Sequence, residues 1–346
     1  MSGSPITQVD RERLAEEHHR LRHDRGLVDW RGAGVFDVSG PGAVDFLDAV
    51  CTRSVAFLVE ERTLPALALD EEGGVVAVLD VFCRGDRYTV LVWPEQREAA
   101  WAHLAAQAAG RPGIVLTDRS AEQDVVAVEG PLAARSVDAF VDGGVEQIPY
   151  KGFTVAEWQE CELVIARIGV TAEFGYTLMA PASLGGELRH RLVELGALPC
   201  GRDAVDVCRM ESRFVSLEAD RPDPRALPFE MSLQWMIDPT HDFAGKQALL
   251  ERWPSPQARL PVCFTAPAGA RLGPHDVVAA GDVAVGSVTN ALWSPGLHCI
   301  AGVAHLDADV AAAGLAFEVR TGSDTVPIST CSGPFVVPTS VAAGRG

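Results

Sequence analysis

No apolar run in this 346-residue chain approaches the roughly 18 residues of a membrane-spanning helix. The opening segment, Met1 to Arg25, is polar and charged rather than leader-like, so the expectation is a cytoplasmic protein without a membrane partner. No Cys-x-x-Cys pair occurs among Cys51, Cys83, Cys161, Cys200, Cys208, Cys263, Cys299 and Cys331. That spacing argues against a zinc ribbon or a compact disulfide framework and for reduced, mostly buried thiols with no metal. Positive charge is in deficit, with 29 Lys and Arg against 47 Asp and Glu and a net charge of −18, which opposes nucleic-acid binding. A cationic or neutral small-molecule substrate suits that field, whereas an anionic cofactor would need a local arginine cluster. Neither a G-x-G-x-x-G turn nor a phosphate-binding P-loop is present; Leu184-Gly185-Gly186 is too short. Nothing here sets an oligomeric state. The chain also lacks a long low-complexity tract, and with 47% hydrophobic residues it is long enough for two or three domains.

Residues 10 to 23 read as a solvated helix with His18, His19 and His23 on the surface. Strand-like residues Leu27 to Val38 lead through the turn Ser39-Gly40-Pro41-Gly42 into a helix from Ala43 to Val50. Leu64 to Leu69, the acidic glycine turn 70 to 74, and Val75 to Cys83 form a hairpin, followed by a strand from Tyr88 to Trp93. Helices are expected over Glu95 to Ala109, after Pro131, over Ser183 to Leu195, and from Gly201 onward. In the last of these, Arg202, Asp206, Arg209 and Arg213 share one stripe. Trp253-Pro254-Ser255-Pro256 reads as a linker, and beyond it short glycine-broken strands point to a small β-barrel or jelly roll. The expected architecture is therefore α+β: a body of mixed sheets and helices over residues 8 to 252, built of two interleaved α/β subdomains, and a barrel over residues 257 to 338.

The most informative stretch runs from Arg167 to Leu178, Arg-Ile-Gly-Val-Thr-Ala-Glu-Phe-Gly-Tyr-Thr-Leu, between two strand-like runs. Gly169 and Gly175 mark where the backbone bends or is closely approached. A carboxylate held there, Glu173, can accept two N–H donors from a planar heterocycle such as the amino-pyrimidinone edge of a pterin or guanine. The competing reading is a hairpin with a solvated Glu.

This stretch resembles R-x-G-x-T-G-E-x-G-Y-E of the aminomethyltransferase family, which includes the glycine-cleavage T-protein and folate-dependent demethylases; Ala172 stands for a Gly and Val170 for an aromatic. Collinear likenesses run from about residue 20 to 337. Asp124 to Pro131 is similar to A-x-Q-G-P, with Glu129 for Gln. Cys200-Gly201-Arg202-Asp203-Ala204 through Glu211, Leu227 to Leu249 with Trp235, and Gly286 to Pro295 with Trp293 match further family segments. The resemblance implies a T-protein-like fold, tetrahydrofolate as cofactor and one-carbon transfer. It makes Glu173 the pterin partner with Tyr176 beside it, and Arg209 and Arg213 the counterions of the p-aminobenzoyl-glutamate tail. The bland reading of the arginines is a surface network with Asp206 and Glu211. Trp235 and Trp293 are pocket walls or core.

The family acid in G-G-x-x-x-D-L falls on Val78. The nearest carboxylate is Asp80, on the same strand face as Val76, Val78 and Phe82. Apolar neighbours would raise its pKa and suit it to proton handling; alternatively it points at a sheet edge or at Arg84. The family Tyr of Y-x-x-L-x-N is also missing around Leu64 and Pro65. The functional expectation is a tetrahydrofolate-dependent transferase or demethylase acting on a small molecule through an altered site. The alternatives are a folate-independent enzyme of this fold in specialised metabolism, or an iron–sulfur-maturation-like protein; the latter's K-G-C-Y-x-G-Q-E motif has no counterpart in Arg225 to Leu233.

Overall fold

The computed structural model describes residues 8–253, 259–322 and 324–343. Most of the linker expected at 253 to 256 lies outside these. In chain order the body comprises α1 (Gln8–His23), β1 (Gly26–Asp29), β2 (Gly34–Ser39), α2 (Ala43–Val50), β3 (Thr63–Leu69), β4 (Val75–Cys83), β5 (Arg87–Val92), α3 (Arg97–Ala108), β6 (Val115–Asp118) and β7 (Gln123–Glu129). There follow α4 (Ala134–Val137), β8 (Phe153–Trp158), β9 (Cys161–Ala166), β10 (Gly175–Pro181), α5 (Gly185–Glu194), β11 (Leu198–Cys200), α6 (Arg202–Ser212) and α7 (Lys246–Arg252). The C-terminal part holds β12 (Arg259–Ala266), β13 (Val277–Ala280), β14 (Val283–Ser294), β15 (Cys299–Asp307), β16 (Ala316–Arg320), β17 (Thr325–Cys331) and the short α8 (Thr339–Ala343).

The body contains two sheets, of order β11-β1-β7-β10-β9-β8 and β3-β4-β5-β2-β6, and the six strands β12 to β17 close into a barrel. The expected α+β class with a C-terminal barrel is what the chain adopts. Local chemistry accounts for much of this. In α2, Ala43, Phe46, Leu47 and Val50 recur at helical spacing and are the residues buried. The β3–β4 turn is drawn tight by the Asp70 carboxylate, which accepts from the Glu72 and Gly74 amides, while Gly73 takes a positive φ. The helix after Pro131 is only the single turn α4.

Each sheet buries both faces. Outer faces pack under α2 and α3 on one side, around Phe36 and Leu79, and under α5 on the other, around Leu163, Tyr176 and Leu178. The inner faces meet each other, with Val28, Trp30, Phe82, Leu91, Val125, Ala127 and Phe153 in one core that also takes in α1 and α6. Helix α1 is not the solvated helix expected. His19 and His23 are exposed, but Leu14, Glu17, His18, Leu21 and Arg22 are buried. His18 Nε2 meets the Glu211 carboxylate at 2.9 Å, so burial of this histidine is satisfied by a residue 193 positions away. All eight cysteines are unpaired.

Candidate functional site

A cavity of about 160 Å³ lies between the inner faces of the two sheets. Val78 and Asp80 of β4 and Leu91 of β5 line one wall; Glu129 of β7, Thr177 of β10 and residues 168 to 170 line the opposite one. The end of α6 contributes Arg209, with Arg213 and Phe214 beyond it, and the segment 233 to 236 adds Trp235.

Asp80 sits opposite Pro65 on β3 and Leu91 on β5, both cavity residues. Arg84 does not neutralise it, pairing instead with Glu162 at 2.7 Å. Burial among these apolar neighbours pushes Asp80 up to about 6, against an opposing pull from Lys151. Lys151, also in the lining, has its own pKa lowered by burial and by Arg53. It and Lys246 are the chain's only lysines, a scarcity that could have flagged it from sequence.

Across the cavity Glu129 is fully buried. One carboxylate oxygen, Oε2, accepts from the Val170 amide (2.9 Å), the Thr171 amide (2.9 Å) and Thr171 Oγ1 (2.7 Å). The other, Oε1, has no hydrogen-bond partner among the described residues. Burial raises the pKa of Glu129, opposed by those donors and by Arg209. The two glycines of the central motif serve this group. A Cβ on Gly169 would lie 2.8 Å from the Gly175 Cα and 3.0 Å from Glu129 Oε2, so only glycine lets the chain close over the carboxylate.

Aromatic rings make the remaining wall. Trp93 lies 5.0 Å from Trp30 and stacks on Phe214 at 6.0 Å. The Arg209 guanidinium stands 3.8 Å above the Trp93 ring, a cation–π arrangement, and donates to Asp206 and to the Val215 carbonyl.

Residues 7–241 match the GCVT N-terminal domain and residues 259–336 the glycine cleavage T-protein C-terminal barrel domain. The chain belongs to the aminomethyltransferase family. Aminomethyltransferases of Frankia alni and Methylococcus capsulatus are 32% and 33% identical to it, over 96% and 84% of this chain and 91% and 81% of theirs. The crystal structure of glycine cleavage system aminomethyltransferase T from Bartonella henselae superposes with a TM-score of 0.84 at 21% identity, covering 94% of this chain and 90% of that one. The family is one of folate-dependent one-carbon-transferring enzymes.

Several family-based residue assignments change in the structure. Asp80, Arg209, Arg213 and Trp235 all line the cavity. Glu173 does not: its buried carboxylate accepts from the amides of Thr339 (2.9 Å) and Ser340 (2.8 Å) and faces Arg22 at 3.5 Å, so it caps α8 rather than meeting a ligand or solvent. Tyr176 is turned away because it alternates with Thr177; the odd positions of β10 face the cavity and Tyr176 packs on the outer face. Trp293 packs between the barrel core and the body core, with Arg11 5.1 Å from its ring. Arg209 is buried and held in the wall by its stacking, not displayed at a surface, and its Nε has no partner among the described residues. Arg213, close to Asp220 at 3.8 Å, is the more accessible of the two.

Glu129, Lys151, Trp30, Trp93 and Phe214 were not singled out from sequence. For Glu129 the signal was present as a Glu in the family's A-x-Q-G-P segment. A second departure went with it, since Thr177 stands at the last position of R-x-G-x-T-G-E-x-G-Y-E. His18, Cys208 and Glu211 cluster closely enough to hold a metal. Arg22 already supplies the positive charge there, donating to Glu211 at 2.9 Å and to the Cys208 carbonyl at 2.8 Å.

Proposed function

We propose that the protein moves a one-carbon unit between a small molecule and tetrahydrofolate, as a transferase or demethylase whose reacting centre lies beside Asp80. The observation that carries this is Asp80 itself, a carboxylate without a neutralising arginine among the described residues, poised near pH 6 on an apolar cavity wall. The cavity's donor set fits a reduced folate. A buried carboxylate oxygen lacks a partner among the described residues, aromatic rings offer faces for stacking, and Arg213 supplies positive charge for a carboxylate-bearing tail. Tetrahydrofolate, when bound, supplies the nitrogen that carries the one-carbon unit.

The chain's own residues do the rest. Ionised Asp80 stabilises positive charge developing on the substrate's amine, ether or thioether carbon, and it can take a proton from an attacking group. Leu91, Pro65 and Val78 surround this carboxylate with apolar surface, which strengthens its field. Val78, where the family pattern has its acid, lies two residues before Asp80, about 6.6 Å along the strand face. The reacting carbon is displaced accordingly, which favours a substrate differing in reach from a lipoyl-bound aminomethyl group.

The test is turnover of a panel of N-methyl and O-methyl compounds with tetrahydrofolate, the one-carbon product being detected by mass spectrometry. Asp80→Asn keeps the shape and removes the charge; it should cut turnover at least about a hundredfold while folate affinity stays within a few fold. Full turnover by Asp80→Asn would remove the carboxylate from the mechanism.

A further inference from the structure

We propose that Glu129 Oε1 is the acceptor that orients the heterocyclic edge of the ligand, doing from β7 what a carboxylate at position 177 would do from β10. This rests on the folate reading above and names the residue that recognises the pterin. Glu129 is fully buried, and its two oxygens have different fates: Oε2 is saturated by three donors from Val170 and Thr171, while Oε1 has none among the described residues. Buried acceptors are almost always satisfied, so an empty one in a cavity wall calls for a donor from outside the chain.

The register places the substitution in context. On the paired strands Glu129 lies opposite Gly175 and Ala127 opposite Thr177, so side chains 129 and 177 share one sheet face as diagonal neighbours. At these two positions the family segments read Gln and Glu; this chain reads Glu and Thr. The carboxyl group has crossed to the adjacent strand, and the site still holds one such group rather than two that would repel in a buried setting. Gly175, opposite Glu129, has no side chain to cover it.

The exchange alters what can bind. With Oε2 occupied, Glu129 accepts a single N–H instead of gripping two in a fork. A second acceptor stands beside it, because Thr177 Oγ1 spends its proton on the Ile168 carbonyl at 3.3 Å and keeps its lone pairs. The chemical class selected is a planar heterocycle with adjacent N–H donors on one edge, as in the amino-pyrimidinone of a reduced pterin.

The test is equilibrium titration of the purified protein with 5-formyltetrahydrofolate, alongside thermal melting. Glu129→Gln can keep its carbonyl on the Val170 and Thr171 amides and so preserve the fold, but it turns an NH₂ toward the ligand's N–H. Affinity should fall at least about tenfold with the melting temperature nearly unchanged. Glu129→Gln/Thr177→Glu restores a carboxylate on the same face and should recover most of that loss. Binding by Glu129→Gln within threefold of wild type would overturn the assignment, as would a folded double variant that stays as weak as the single one. Absence of binding by the wild-type protein would instead overturn the folate reading, and this inference with it.

Discussion

Replacing Glu173 by Ala should unlatch the C-terminal segment and leave the cavity intact. The carboxylate accepts from the Thr339 and Ser340 amides at 2.9 and 2.8 Å and from the Ser340 hydroxyl, three bonds to a charged acceptor. Each such bond contributes about 1.5 to 3 kcal/mol when its partner is left without a replacement. The full total is not reached, because the freed amides of α8 can turn to water once the segment lifts. Arg22 is not orphaned either; it keeps Glu211 at 2.9 Å and the Thr171 and Cys208 carbonyls at 2.7 and 2.8 Å. The expected loss is therefore about 2 to 4 kcal/mol of local docking, with a smaller change in global stability. Hydrogen exchange reads this directly: the Thr339 and Ser340 amides should exchange roughly 30- to 1,000-fold faster, at 1.4 kcal/mol per factor of ten. Binding of 5-formyltetrahydrofolate should stay within about threefold of wild type, since Glu173 is not in the cavity wall. Unchanged exchange together with a tenfold loss of folate affinity would refute the reasoning and return Glu173 to the ligand site.

Asp80 carries a linked pH prediction. Burial raises it from 3.8 to about 6, so between those values the folded chain holds a proton that the unfolded chain has released, and stability falls as pH rises through that window. Asp80→Asn should accordingly stabilise the protein by roughly 3 kcal/mol at pH 7.5 and by little at pH 4, at 1.4 kcal/mol per pH unit; equal effects in urea melts at both pH values would contradict it. Lys151 pulls the Asp80 pKa down, so Lys151→Met should move the acidic limb of the pH–rate profile upward, and a downward shift would count against the pairing. Tyr176→Phe, on the outer sheet face, should leave folate affinity within twofold, whereas Trp235→Ala in the cavity wall should weaken it measurably. A loss of affinity in Tyr176→Phe would mean that the strand parity has been misread, and unchanged affinity in Trp235→Ala would remove Trp235 from the ligand's contacts.

The elements were legible from local chemistry. The run Ala43 to Val50 carries its own helical stripe, the acidic glycine turn before Val75 closes by hydrogen bonds within five residues, and the short glycine-broken strands after residue 259 form the barrel. The placement of Asp80 on the cavity face was legible too, because period-two alternation puts it on one face with Val78 whatever lies opposite. Alternation alone, however, does not say which face of β10 meets the cavity; that depends on the second sheet, and it exchanged Tyr176 for Thr177. Glu173 was decided by a segment 166 residues further along, and His18 by Glu211, 193 residues away. The glycines flanking Glu173 instead let the loop close over Glu129, since a Cβ on Gly169 would meet Glu129 Oε2 and a Cβ on Gly175 would meet Gly169. Sequence determined which residue types were available on each strand and helix. Tertiary packing decided which buried acceptor kept an empty oxygen, because satisfaction of a buried polar group depends on every donor that folding brings within reach.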